Sequence, residues 1–120
     1  HWNTEGLNAE HVTMLRDVLI ALGKALRPAR LHFGWRTISD ILGYVQVALS
    51  EGGLSIDKAA DHAIYSKVLP KLRGEDSPRL RAAFAAASDV LDKAGLVTSR
   101  EKLRELTEDL KTMGSARFWR

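Results

Sequence analysis

The chain has 120 residues, 45% of them hydrophobic and 28% charged, a length and balance that fit one folded domain with one core. Its formal net charge of +3 and pI near 9.5 are mildly basic, which permits an anionic partner without requiring one. No apolar run approaches the roughly 18 residues of a membrane-spanning helix, and the lack of cysteine excludes disulfides, thiolate metal sites and thiol nucleophiles, so the reading is a cytoplasmic chain with no membrane segment.

Residues 1–7 carry neither the charged nor the apolar region of a signal peptide. Starting at His1 with no initiator methionine, they read as a disordered or tag-derived lead into a piece of a longer protein. Asn8 is the expected N-cap of a first helix that runs to Leu26, with Val12, Leu15, Val18, Leu19, Leu22 and Leu26 along one face. Pro28 stops it by biasing Arg27 away from helical angles. Arg27 to Trp35 then reads as a loop in which Arg27, Arg30 and His32 interleave with Leu31, Phe33 and Trp35.

A second helix is predicted over Thr37 to Leu49, with Ile38, Ile41, Leu42, Val45 and Ala48 inward and Arg36 at its entry. Gly52 and Gly53 break the run, Ser55 caps a third helix with Asp57 in its first turn, and Ile56, Ala60, Ala63, Ile64, Val68 and Leu72 are its inward positions up to the irregularity at Pro70. After a turn over Gly74 to Ser77, the pair Ser77 and Pro78 starts a fourth helix that runs to Lys93 and stops at Gly95. Thr98 and Glu101 have the form of a capping box for a fifth helix, whose stripe of Leu103, Leu106, Leu110 and Met113 ends at Gly114. No alternating strand and no repeat interrupts this pattern, so the expected fold is all-α, a small bundle of about five helices in a single domain over residues 1–120.

The catalytic inventory is thin. There is no phosphate-cradling G-x-x-x-x-G-K-[ST], no H-E-x-x-H and no G-x-S-x-G, so no catalytic residue is assigned in this chain. Asp61 and His62 adjoin on a helix, face apart and read as ordinary surface polar residues, which leaves no metal site. Lys67, Lys71, Arg73, Arg79 and Arg81 flank one turn and form a candidate nucleic-acid or partner face, although Glu75 and Asp76 sit among them. The tail Phe118, Trp119, Arg120 is expected to dock back on the bundle, and Trp35 to pack at its loop. Gly34 offers a tight turn before Arg36, whose planar fork at a helix start suits a phosphate; by composition alone about one G-x-R triplet arises by chance.

Three stretches together resemble one family. Phe33, Gly34, Trp35, Arg36, Thr37, Ile38, with Ile41 beyond, is similar to the F-G-Y-R-V-I pattern in the C-terminal lid of McrB-type AAA+ proteins, the GTP-driven motors of modification-dependent restriction systems. Lys67 to Gly74, reading K-V-L-P-K-L-R-G, resembles that family's K-I-L-P-K-L-H-G signature and is more specific. Ser99 and Lys102, leading through Met113 and Gly114 to Arg117, Phe118, Trp119 and Arg120, resemble its C-terminal ending in order and spacing. Trp35 stands where tyrosine is commoner and Arg73 where histidine is, and the P-loop core is absent.

The resemblance implies an AAA+ lid-like bundle that closes over a nucleotide, with Arg36 as the nucleotide-sensing arginine (sensor 2) and Gly34 and Trp35 in support. It implies GTP or ATP with Mg in the parent, a P-loop core in the same parent chain, neighbouring subunits of a ring, and a partner nuclease with DNA, in restriction and defence. The fragment itself is then not an enzyme, whereas its parent is an NTPase. The alternative from the residues alone is a free-standing helical DNA-binding or adaptor module using the Lys67 to Arg81 set.

Overall fold

The computed structural model describes residue 4 and residues 6–119. Helix α1 (Ala9–Leu26) begins where Asn8 accepts the His11 N–H at 2.8 Å, and a 3-10 turn at Arg27–Ala29 follows it. Leu7 packs against the core, while residues 1–3 and 5 of the expected lead lie outside the described residues. Helix α2 (Trp35–Ser50) starts two residues earlier than its apolar stripe suggests, because Trp35 and Arg36 occupy its first turn without contributing to that stripe. Helix α3 (Ile56–Lys67) is capped by Ser55, and the buried Val68, Leu69 and Leu72 continue its inward face through a 3-10 turn at Leu69–Lys71 rather than through more helix.

Strand β1 (Gly74–Glu75) leads into α4 (Pro78–Ala94), where Ser77 accepts the Leu80 N–H at 3.0 Å and Pro78 fills the first helical position. Gly95 closes α4 in the left-handed conformation at φ 73°, as the sequence requires of a glycine there. Helix α5 (Val97–Met113) ends on the left-handed Gly114 and passes into β2 (Ser115–Ala116). The two strands pair antiparallel, with Gly74 opposite Ala116 and Glu75 opposite Ser115. No strand is expected from the sequence, since two residues are too few to show alternation.

Helix α1 lies on α4, α4 on α5, α5 on α3, and α3 on α2. Their apolar stripes meet in one cluster that includes Leu15, Leu22, Ile41, Ile64, Phe84 and Leu103. The architecture is thus the small all-α bundle of five helices, with one minimal two-stranded bridge. Among the described residues, no helix is long and apolar enough to cross a membrane.

The start of α5 differs from the capping box expected at Thr98 and Glu101. Leu96 occupies the N-cap position and supplies no side-chain acceptor. Instead Asp61, from the middle of α3, takes the N–H of Thr98 at 2.9 Å and of Ser99 at 2.8 Å, while the Ser99 hydroxyl donates to the Asp61 carbonyl at 2.9 Å. Asp61 is therefore no surface residue: it is 7% exposed and welds two helices by supplying in trans the acceptor that α5 lacks. Local sequence cannot reveal a cap that arrives from 37 residues away.

Candidate functional site

Arg36 sits in the first turn of α2, exposed, and makes no ion pair or side-chain hydrogen bond among the described residues. Gly34 is the N-cap and has no side chain to accept from the first-turn N–H groups, so the positive end of the helix dipole and a free guanidinium occur together. The expected tight turn is absent. Gly34 has ordinary extended angles, φ −93° and ψ −170°, and a Cβ built there meets nothing within 4 Å, so its value lies in leaving the helix end uncovered rather than in backbone freedom. Trp35 does not pack into the loop either: it is 53% exposed, while its neighbours Phe33 and Ile38 are partly buried against the core.

The elbow between α1 and α2 is basic throughout. From Asp17 to Asp40 no acidic residue intervenes, whereas Lys24, Arg27, Arg30 and Arg36 all lie within that stretch. Arg30 has φ 61°, and it is the one non-glycine residue at positive φ among the described residues. Its N–H donates to the Arg27 carbonyl at 2.8 Å, which ties the elbow shut at the cost of placing a side chain in the left-handed region. Beside it a groove of about 230 Å³ opens between Leu19 and Ile20 of α1, Phe33 of the loop and Ile38 of α2.

The basic set of the second half is divided by the structure. Arg81 is committed to Asp76 through a bidentate pair, Nε to Oδ1 and Nη2 to Oδ2, both at 2.6 Å. These hydrogen bonds are the main reason that the Asp76 carboxyl is held below the usual carboxylate range and the Arg81 guanidinium above its own. Lys67 at the end of α3, Lys71 in the 3-10 turn, Arg73 before β1 and Arg79 in the first turn of α4 are exposed and make no ion pair among the described residues. Four of the five predicted cations therefore remain available to an anion.

The stretch Lys67 to Gly74 and the C-terminal residues, distant in sequence, are one unit in space. Besides the β1–β2 pairing, the Asp76 N–H donates to the Gly114 carbonyl at 2.8 Å, and Gly74, at φ 152°, has Leu80 so close that a Cβ would approach it to 3.0 Å. Phe118 is 8% exposed, edge-on to Tyr65 at 5.2 Å, with the Lys102 ammonium 4.9 Å from its ring centre. Only part of the tail docks: Trp119 touches Phe118 edge-on at 4.6 Å but stays 80% exposed, and Arg120 lies outside the described residues.

A further cleft, of about 530 Å³, lies where the N-terminal ends of α3 and α5 converge, with Asp57, Lys58, Asp61 and His62 on its wall. Its buried carboxylate is already consumed by the α5 cap, so the cleft presents no free catalytic pair. Among the described residues, no group of three or more His, Asp or Glu side chains is arranged to hold a metal ion. Neither a curated protein nor a solved structure matches the chain. The model of one family, described as a domain of unknown function, DUF8727, covers residues 2–115, and the chain belongs to that family.

Proposed function

We propose that this domain is the nucleotide-sensing and assembly lid of an McrB-like AAA+ NTPase acting in DNA restriction. The observation that carries the reading is Arg36: a guanidinium without an internal partner, in the first turn of a helix whose N-terminus is left uncapped by Gly34. A terminal phosphate gains charge-assisted bonds from such a group, and those bonds strengthen as charge builds in a loose phosphoryl-transfer transition state. Supporting it, the Lys67 to Gly74 signature and the Phe118 ending, which resemble the same family, pack together as one folded unit. The P-loop core of the parent supplies the phosphate cradle and Mg for GTP or ATP, neighbouring subunits close a ring, and a nuclease partner acts on DNA. The lid contributes sensing and not catalysis alone.

The test is hydrolysis by the parent carrying Arg36→Ala. Turnover falls roughly hundred- to thousandfold, as for removal of one preorganised donor, while the melting temperature of the domain stays unchanged. Unchanged turnover sinks the role of Arg36, and robust hydrolysis by the isolated domain refutes the lid reading. The unpaired Lys67, Lys71, Arg73 and Arg79 favour one rival, a DNA-binding or adaptor face. Titrating duplex DNA at two salt concentrations separates the two, because that face gives a slope of about one unit per phosphate contact, whereas a lid gives no measurable binding.

A further inference from the structure

The geometry points to a docking groove at the α1–α2 elbow for an acidic protein segment that carries a bulky apolar anchor. Ile20 and Lys24 of α1 and Arg27, its C-cap with helical angles, follow at intervals of four and three and so share one face. Ile20 is 49% exposed and forms a floor with Leu19, Phe33 and Ile38, while Lys24 and Arg27 stand along the rim. Gly23 lies in the same wall; no neighbour comes within 4 Å of a Cβ built there, so the groove is open above the backbone. An apolar side chain entering it removes the half-exposed Ile20 from water.

The charge says which segment fits. Lys24 and Arg27 make no ion pair among the described residues, and no carboxylate lies in the sequence between Asp17 and Asp40 to neutralise them. Asp40 is turned away: about 200° separates it from Ile38 around α2. A basic rim over an apolar floor complements carboxylates flanking an anchor, because the anchor supplies affinity and the charges supply orientation and encounter rate. A nucleic acid fits less well, since the lining is aliphatic apart from the part-buried Phe33, and the exposed ring of Trp35 is not part of that lining.

This surface is separate from the proposed sensor. Arg36 lies about 200° around α2 from Ile38 and is not part of the groove lining. The inference therefore does not rest on the lid reading.

The experiment uses the whole chain, immobilised and panned against a displayed library of random peptides. Enriched peptides carry a Leu, Ile, Phe or Trp flanked by Asp or Glu, and a fluorescein-labelled representative binds saturably in solution. Ile20→Glu and the pair Lys24→Glu, Arg27→Glu each weaken it at least about tenfold at unchanged melting temperature, and Arg36→Ala leaves it within about twofold. Absence of enrichment, enrichment of basic peptides, or equal binding to the Ile20→Glu chain overturns the inference. So does equal loss with Arg36→Ala, or a single-stranded oligonucleotide that binds more tightly and is lost with the same groove substitutions.

Discussion

The two halves of the molecule treat charge differently. From Asp61 onward, several charged groups serve the fold, since Asp61 caps α5, Arg81 takes Asp76, and Arg100 bridges the end of α4 to the start of α5 through Asp92 at 2.7 Å and Glu101 at 3.1 Å, while Lys67, Lys71, Arg73 and Arg79 stay outside any ion pair among the described residues. At the elbow, Lys24, Arg27, Arg30 and Arg36 make no ion pair among the described residues, even though Asp40 stands one helical turn after Arg36. Groups with internal partners are accounted for by stability. Those without them point to contacts outside the chain.

Breaking the C-terminal half tests this contrast most severely at Asp61. Asp61→Ala leaves two first-turn N–H groups of α5 without their acceptor, one of them at the fully buried Ser99, and lowers unfolding free energy by roughly 2–3 kcal/mol in urea titration. A change below about 0.5 kcal/mol, the usual range for surface substitutions, makes the trans cap decorative. Phe118→Ala comes next, at about 2 kcal/mol. That is less than the roughly 3–5 for a fully enclosed Phe, because this ring lies at the edge of the bundle beside an exposed Trp119. Hydrogen exchange at the Asp76 and Ala116 amides should rise with it, since the bridge and the ring are parts of one closure.

At the elbow the expectation reverses. Arg30→Gly relieves the left-handed strain and raises stability by about 0.5–1 kcal/mol, net of the greater freedom of the unfolded glycine. A loss of stability there means that Arg30 has an internal role. The smallest effect is the pH dependence of the Asp76–Arg81 pair. Because the folded Asp76 value is lowered, its contribution is complete above the ordinary carboxylate value of the unfolded chain and disappears as pH falls through the lower folded value. Comparing the stability of the wild type with that of Arg81→Ala across pH shows this as a small difference that is present at neutral pH and vanishes in acid, and an equal difference at neutral and acidic pH contradicts it.

Helices were readable where a local rule decides them. Asn8, Ser55 and the Ser77–Pro78 pair start helices, Gly95 and Gly114 end them, and the apolar spacing fixes which faces meet. What escaped the sequence depends on partners distant in the chain, namely the Asp61 cap and the pairing of Gly74 with Ala116, or, for Arg81 and Asp76 five residues apart, on the turn that brings the two side chains together. The start of α2 escaped for a different reason. Trp35 and Arg36 are helical without being buried, so burial period cannot find them. The groove was invisible because it needs Ile20 and Phe33 to come together across the elbow, and only the unbroken run without acids hinted at it.

The most direct test of the contrast is a pair of substitutions in the parent NTPase proposed above, Arg36→Ala and Arg81→Ala, each read by nucleotide turnover and by melting temperature. Arg36→Ala lowers turnover by at least about a hundredfold and leaves melting unchanged, whereas Arg81→Ala lowers melting slightly and leaves turnover near wild type. Equal turnover for wild type and Arg36→Ala, or a melting loss at Arg36 as large as at Arg81, contradicts the assignment of Arg36 to a contact outside the fold.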